Sequence, residues 1–130
     1  MASILKVDAM QGVTSAGDIT VTSEGGAATQ SLQQGLAKAW VKANTAAVVA
    51  DSINVSTGVD NGTGDYQFNL SSSMANTEYC QITGAIAAEL TGVKNTTIVS
   101  SNFKITGFKR DDVYTARDAN TYCSIHGDLA

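Results

Sequence analysis

The chain contains no proline, where roughly one residue in twenty is ordinary usage. Turn formation therefore falls to its 12 glycines and to Asn, Ser, Thr and Asp, which reach turn geometries by other means. Cysteine is scarce. Two thiols are too few for a structural zinc site, which takes four ligands, and far from a disulfide-dense scaffold. Positive charge is sparse and scattered: Lys and Arg total 8 against 12 acidic residues, and the pair Lys109-Arg110 is followed at once by Asp111-Asp112. A phosphate-backbone binder presents clustered basic side chains, so no nucleic-acid partner is expected. No apolar run reaches the ~18 residues of a spanning helix. The first residues, Met1 to Asp8, hold one Lys, an early Asp and no apolar core, unlike a secretory signal. The expectation is a protein made and assembled in a cytoplasm, with no membrane partner. In that setting the sequons beginning at Asn54, Asn61, Asn69 and Asn95 carry no glycosylation signal.

What is present is alternation. Ile19 to Thr22, Ile53 to Ser56, Tyr66 to Leu70, Cys80 to Ile86, Val99 to Ile105 and Cys123 to Leu129 keep their apolar side chains on one alternating face, the period of a half-buried strand. Gly, Asn, Asp and Ser separate them, as in an antiparallel sandwich or barrel. The predicted fold is all-β: an antiparallel, jelly-roll-like sandwich over residues 18–130, preceded by an extended arm over residues 1–17. Gln30 to Val49 reads two ways: Leu32, Leu36, Ala39 and Ala43 recur at near-helical spacing with Ser31 able to cap, or Leu32–Gly35 is a short helical turn or irregular chain ahead of a strand. The second reading is the expectation, its strand carrying Trp40 with Ala39 and Val41 inward. In the arm, Ile4, Leu5, Val7 and Met10 form an apolar patch isolated by Gly12 and Gly17. Fully extended, such an arm reaches about 55 Å and lies on its own domain or docks on a neighbour.

Few residues suggest chemistry. Asp60 to Asp65 has the look of a calcium loop, but an EF-hand starting at Asp60 needs Glu at its twelfth position, which is Ser71. Asn61-Gly62 instead predicts a type I′ hairpin turn, both residues at positive φ. His126 is the only histidine, with Asp128 nearby, yet no Gly-x-Ser-x-Gly elbow accompanies it. Cys80 and Cys123 both fall on predicted apolar faces, as free thiols or as a bridge worth ~4 kcal/mol; a reducing cytoplasm favours thiols. Trp40, Tyr66, Tyr79, Tyr114 and Tyr122 are candidates for a glycan groove, although Tyr66 alternates with Phe68 and Leu70 as a core residue would. No catalytic, cofactor-binding or metal-binding residues are expected.

Three stretches carry a resemblance. Ile4-Leu5-Lys6-Val7-Asp8-Ala9-Met10-Gln11, Gln33-Gln34-Gly35-Leu36-Ala37-Lys38-Ala39-Trp40-Val41 and Gly127-Asp128-Leu129-Ala130, with Asp51 to Ser56 and Asp60 to Tyr66 between them, resemble the small fibre and tail-fibre modules of tailed phages. Lys42 to Ala47 departs from the aromatic and glycines usual there. The resemblance implies a trimeric virion protein without catalytic residues. Such modules usually close a longer fibre, so a free-standing copy implies a capsid decoration protein, head fibre or small tail component. The expected partners are copies of itself and other capsid or tail proteins. The alternative implied is a receptor-binding module for a host-surface glycan.

Overall fold

The computed structural model describes residues 4–13, 19–23, 25–85, 89–94, 98–109 and 115–130; Ile86, Tyr114, Arg110 and Gly17, named above, lie outside them. The chain divides into two units, 1–36 and 37–130. The division expected after residue 17 therefore falls inside the first unit. That unit holds a small antiparallel ribbon, β1 (Thr20–Thr22) with β2 (Thr29–Ser31). Gly26, at φ 72°, turns it. Directly after comes α1 (Leu32–Gly35), one helical turn, one of whose orphan donors is met by Ser31: its Oγ accepts from Gln34 N–H at 3.4 Å, an N-cap.

The second unit is an all-β sandwich of two antiparallel sheets. Its strands are β3 (Ala39–Ala43), β4 (Val49–Ile53), β5 (Val55–Gly62), β6 (Asp65–Leu70), β7 (Cys80–Ala85), β8 (Glu89–Val93), β9 (Asn102–Lys109) and β10 (Thr121–His126). The first sheet runs β4-β3-β10-β7 and the second β5-β6-β9-β8. Hairpins join β3 to β4, β5 to β6 and β8 to β9, while the other connections cross between sheets. Alternation fixes which side is inside. Ala39, Val41, Ala43, Cys123 and Ile125 from the first sheet meet Tyr66, Phe68, Phe103 and Ile105 from the second. Phe68 and Phe103 stack at 5.5 Å and 29°, and Met74, Tyr79 and Leu129 help close the core.

Three local expectations are corrected. Ile53 to Ser56 is not one strand. Asn54, at φ 56°, is the corner at which the chain leaves the first sheet for the second. Its amide holds the corner by accepting from Ser72 N–H (2.7 Å) and donating to Ser72 O (2.9 Å). The β5–β6 hairpin does not turn at Asn61-Gly62 either. Gly62 pairs with Asp65, so the loop is Thr63-Gly64 and Asn61 remains in β5 without a positive φ. Gly62 (φ 128°) and Gly64 (φ 66°) supply the unusual backbone. Finally, β7 presents the opposite face: Cys80 and Ile82 point outward, and Gln81 and Thr83 turn toward the second sheet. Cys80 is thus exposed and Cys123 buried, both free. They stand opposite His126 and Thr83 respectively, on opposite faces of the sheet, where no bridge can form.

A buried knot ties the loop before β10 to the hairpin. Tyr66 Oη accepts from Ala119 N–H (2.9 Å) and lies within donating distance of Asp118 Oδ1 (3.1 Å) and Thr45 O (3.3 Å). Asp118 Oδ1 in turn accepts from Gly64 N–H (2.8 Å). Burial pushes the Tyr66 phenol from 10.0 up to about 12; the Ala119 hydrogen bond opposes the rise and Asp118 adds to it. Burial likewise pushes the Cys123 thiol from 9.0 up to about 12, against a hydrogen bond from Gln81. Both groups are raised acids, so the folded state keeps them neutral. Their stabilisation is complete below the unfolded values and is lost as pH rises toward the folded ones. Stability should begin to fall near pH 9 with Cys123 and more steeply from pH 10 with Tyr66, each group contributing a slope of about 1.4 kcal/mol per pH unit. Urea midpoints measured from pH 8 to 11.5 test this. In Cys123→Ala the onset should move to pH 10, and an unchanged onset would refute the assignment.

Candidate functional site

The outward face of the first sheet is the site with most chemistry. Because β3 buries Ala39, Val41 and Ala43, the intervening Trp40 and Lys42 face out. On β10, Thr121, Cys123 and Ile125 are buried, which turns Tyr122, Ser124 and His126 the same way. Register then assembles rows across the sheet. Ile53, Trp40, Ser124 and Ile82 form one; Asp51, Lys42, Tyr122 and Gly84 form the next; His126 faces Cys80 beyond. The first row is unusual for a solvated sheet face, with Ile53 53% and Ile82 57% exposed beside the chain's only tryptophan.

Of these residues, Trp40, Lys42, Ile82, Gly84, Tyr122 and Ser124 line an open groove of about 480 Å³. Gly84 leaves a gap in its floor: a Cβ placed there would meet nothing within 4 Å. The Lys42 ammonium lies 6.0 Å from the centre of the Tyr122 ring, a cation–π distance. Ser124 Oγ and His126 Nε2 are 3.0 Å apart. That pair lacks the third, orienting group of a triad, since no hydrogen bond among the described residues joins His126 to Asp128. What the face offers is stacking surface with polar groups around it.

The other expected positions are elsewhere. Ile4 and Leu5 are each 79% exposed, with Met10 at 61% and Val7 at 51%, in a segment without helix or strand through residue 13. At the suspected calcium loop, Asp60 Oδ1 accepts from Gly62 N–H within the hairpin (2.9 Å), and Asp65 forms an ion pair with Lys94, just past β8. Among the glycan candidates, Tyr66 is wholly buried and Tyr79 donates toward Val99 O and Asn102 O (3.2 Å each); only Trp40 and Tyr122 of the described aromatics named earlier share the outer face. Ile82 and Gly84 were not foreseen there, because the sequence alternation of β7 pointed Ile82 inward. No protein-family model matches the chain, and neither a curated protein nor a solved structure matches it.

Proposed function

We propose that the protein is a structural virion component of a tailed phage, a fibre-type or capsid decoration module. It attaches to the particle through its N-terminal arm, residues 1–17, and assembles as a homotrimer. The resemblance of Ile4 to Gln11 and Gln33 to Val41 to phage fibre modules supports this reading, as does the all-β sandwich. The observation that carries it is the exposed apolar run Ile4, Leu5, Val7 and Met10. Burying Ile4, Leu5 and Val7 offers roughly 5–8 kcal/mol before ordering costs, against about 1–2 kcal/mol for each backbone residue fixed. A groove on a capsid or tail protein, or on a neighbouring subunit, supplies that burial, and the arm then acts as the attachment.

Deletion of residues 1–17 is expected to leave a folded domain that no longer incorporates into particles. Circular dichroism of the truncated protein and its abundance in purified virions test the two halves separately. A folded truncation that incorporates normally would place attachment elsewhere. Loss of folding would assign the arm to the core instead.

A further inference from the structure

We propose that the arm of one copy adds as a further strand to the free edge of β7 in the next copy, and that arms exchanged in this way close the oligomer. The proposal rests on the arm being the attachment segment and names what receives it. It begins with the edges of the sandwich. Its two sheets end in β4 and β7, and in β5 and β8. Unpaired backbone along such a strand recruits another chain unless a charge, a proline or a bulge blunts it. β4 is bulged at one register shift and β5 at two, and they carry Asp51 and Asp60. β8 carries Glu89. β7 has none of these devices: Cys80 to Ala85 is uncharged, and its register with β10 is unbroken.

Backbone direction along β7 follows from its neighbour. Ile125 O accepts from Lys38 N–H (2.7 Å) on the β3 side, so alternation along β10 turns the backbone of Ser124 toward β7. Ile82, opposite Ser124, therefore aims its N–H and C=O at β10, while Gln81, Thr83 and Ala85 aim theirs at the free edge. Among the described residues no backbone hydrogen bond from a loop reaches them. Such a row is matched by another extended backbone, which sets the class of occupant. The arm fits it. Leu5, Val7 and Ala9 share one side of an extended chain, and Lys6 and Asp8 the other; Leu5 and Val7 are exposed within one copy. With the apolar side turned inward, the arm covers a cleft of about 160 Å³ where Val93, Ile98 and Phe103 meet Gln81, Lys94 and Lys104. A cavity of ~150 Å³ takes a benzene, so one aliphatic side chain fits. Lys6 and Asp8 then face out and give the new outermost strand the charges that β7 lacks, which stops addition at one strand. Each copy offers one arm and one such edge, a head-to-tail contact that a rotation closes into a ring, in keeping with a trimer.

Association of the full chain is measured by sedimentation velocity at micromolar concentration. Val7→Asp puts a charge on the inward side of the arm and should weaken association tenfold or more. Thr83→Pro removes one N–H from the free edge, as an edge strand tolerates, and should do the same. Thr83→Val loses the same hydroxyl but keeps the N–H, and should associate as the unmodified chain does. Should circular dichroism show Thr83→Pro unfolded, Ala85→Pro removes an N–H from the same row and takes its place. Mixed, Val7→Asp still offers an edge and the proline variant still offers an arm, so the two should form a one-to-one pair. A monomeric unmodified chain, undiminished association of Val7→Asp or of a folded proline variant, equal loss in Thr83→Val, or a mixture that forms no pair would each overturn the proposal. Abundance in purified virions separates it from attachment to the particle. Val7→Asp that still associates yet is lost from virions would overturn the exchange and leave the arm bound to another protein. Monomeric Val7→Asp that incorporates normally would uphold the exchange and overturn attachment through the arm.

Discussion

Gly64→Ala is expected to cost more than about 4 kcal/mol, an exceptional loss for one methyl group, whereas Gly62→Ala should cost only about 1–3 kcal/mol. Both glycines have positive φ, at 66° and 128°, so both substitutions strain the backbone. They differ in what surrounds them. A Cβ on Gly62 meets nothing within 4 Å. One on Gly64 would lie 2.5 Å from Gly107 O, 2.9 Å from Arg117 N and 3.0 Å from Arg117 O. Those backbone atoms cannot swing aside as a side chain would. Gly107 N–H donates to Gly64 O (2.9 Å) and Arg117 N–H to Gly107 O (3.1 Å), while Gly64 N–H is held by Asp118. Making room therefore breaks the hydrogen bonds that define the site. Against the 5–15 kcal/mol typical of a whole domain, the loss should leave Gly64→Ala largely unfolded at 37 °C. Urea denaturation of both variants tests the ranking, and equal midpoints would disprove it.

Phe68→Ala should cost about 3–5 kcal/mol, the range for removing a buried phenylalanine. Phe68 is fully buried on β6, an inner strand, and stacks on Phe103. Its partner across the β5–β6 pair is Gly58, so the ring covers a residue with no side chain of its own. The vacated space cannot be refilled from that side. A Cβ on Gly58 would lie 2.0 Å from Ala47 O, and Ala47, at φ 55°, sits in the β3–β4 turn. The double variant Gly58→Ala/Phe68→Ala should consequently be less stable than Phe68→Ala. Rescue by the second change would show that the cavity relaxes toward β5, contrary to this account.

Most of the sandwich was legible because its inward residues are large and apolar. On β6, β9 and β10 the alternation of Tyr66 and Phe68, Phe103 and Ile105, and Cys123 and Ile125 names the buried face directly. The same reading placed Ala39 and Val41 inward and left Trp40 outside. It failed on β7, where Gln81 and Thr83 are the inward residues. Both find backbone acceptors across the sandwich: Gln81 Nε2 donates to Lys104 O (3.0 Å) and Thr83 Oγ1 to Thr91 O (3.1 Å). A polar side chain with a partner can be buried, and the partner's position is a tertiary fact. Asn54 and the hairpin teach the same thing. The residues that hold the corner and the loop are Ser72, Asp118, Gly107 and Arg117, all distant in sequence, and they override the local preference of Asn61-Gly62 for a turn. The outer-face groove depends on the same inversion of β7, so only its Trp40 and Tyr122 could be named beforehand.

The place of β10 between β3 and β7 governs when this protein can finish folding. The first strand of the sandwich pairs directly with the last, so a nascent chain leaves one edge of β3 unpaired, its other edge taken by β4, until β10 has left the ribosome. Until then β3 and β7 each expose a row of unpaired backbone groups, the kind of edge that recruits other chains. Pairings so distant in sequence also slow folding. During synthesis, the hazard is greatest just before the final strand appears, and a chain that loses its last ten residues would keep both edges open permanently.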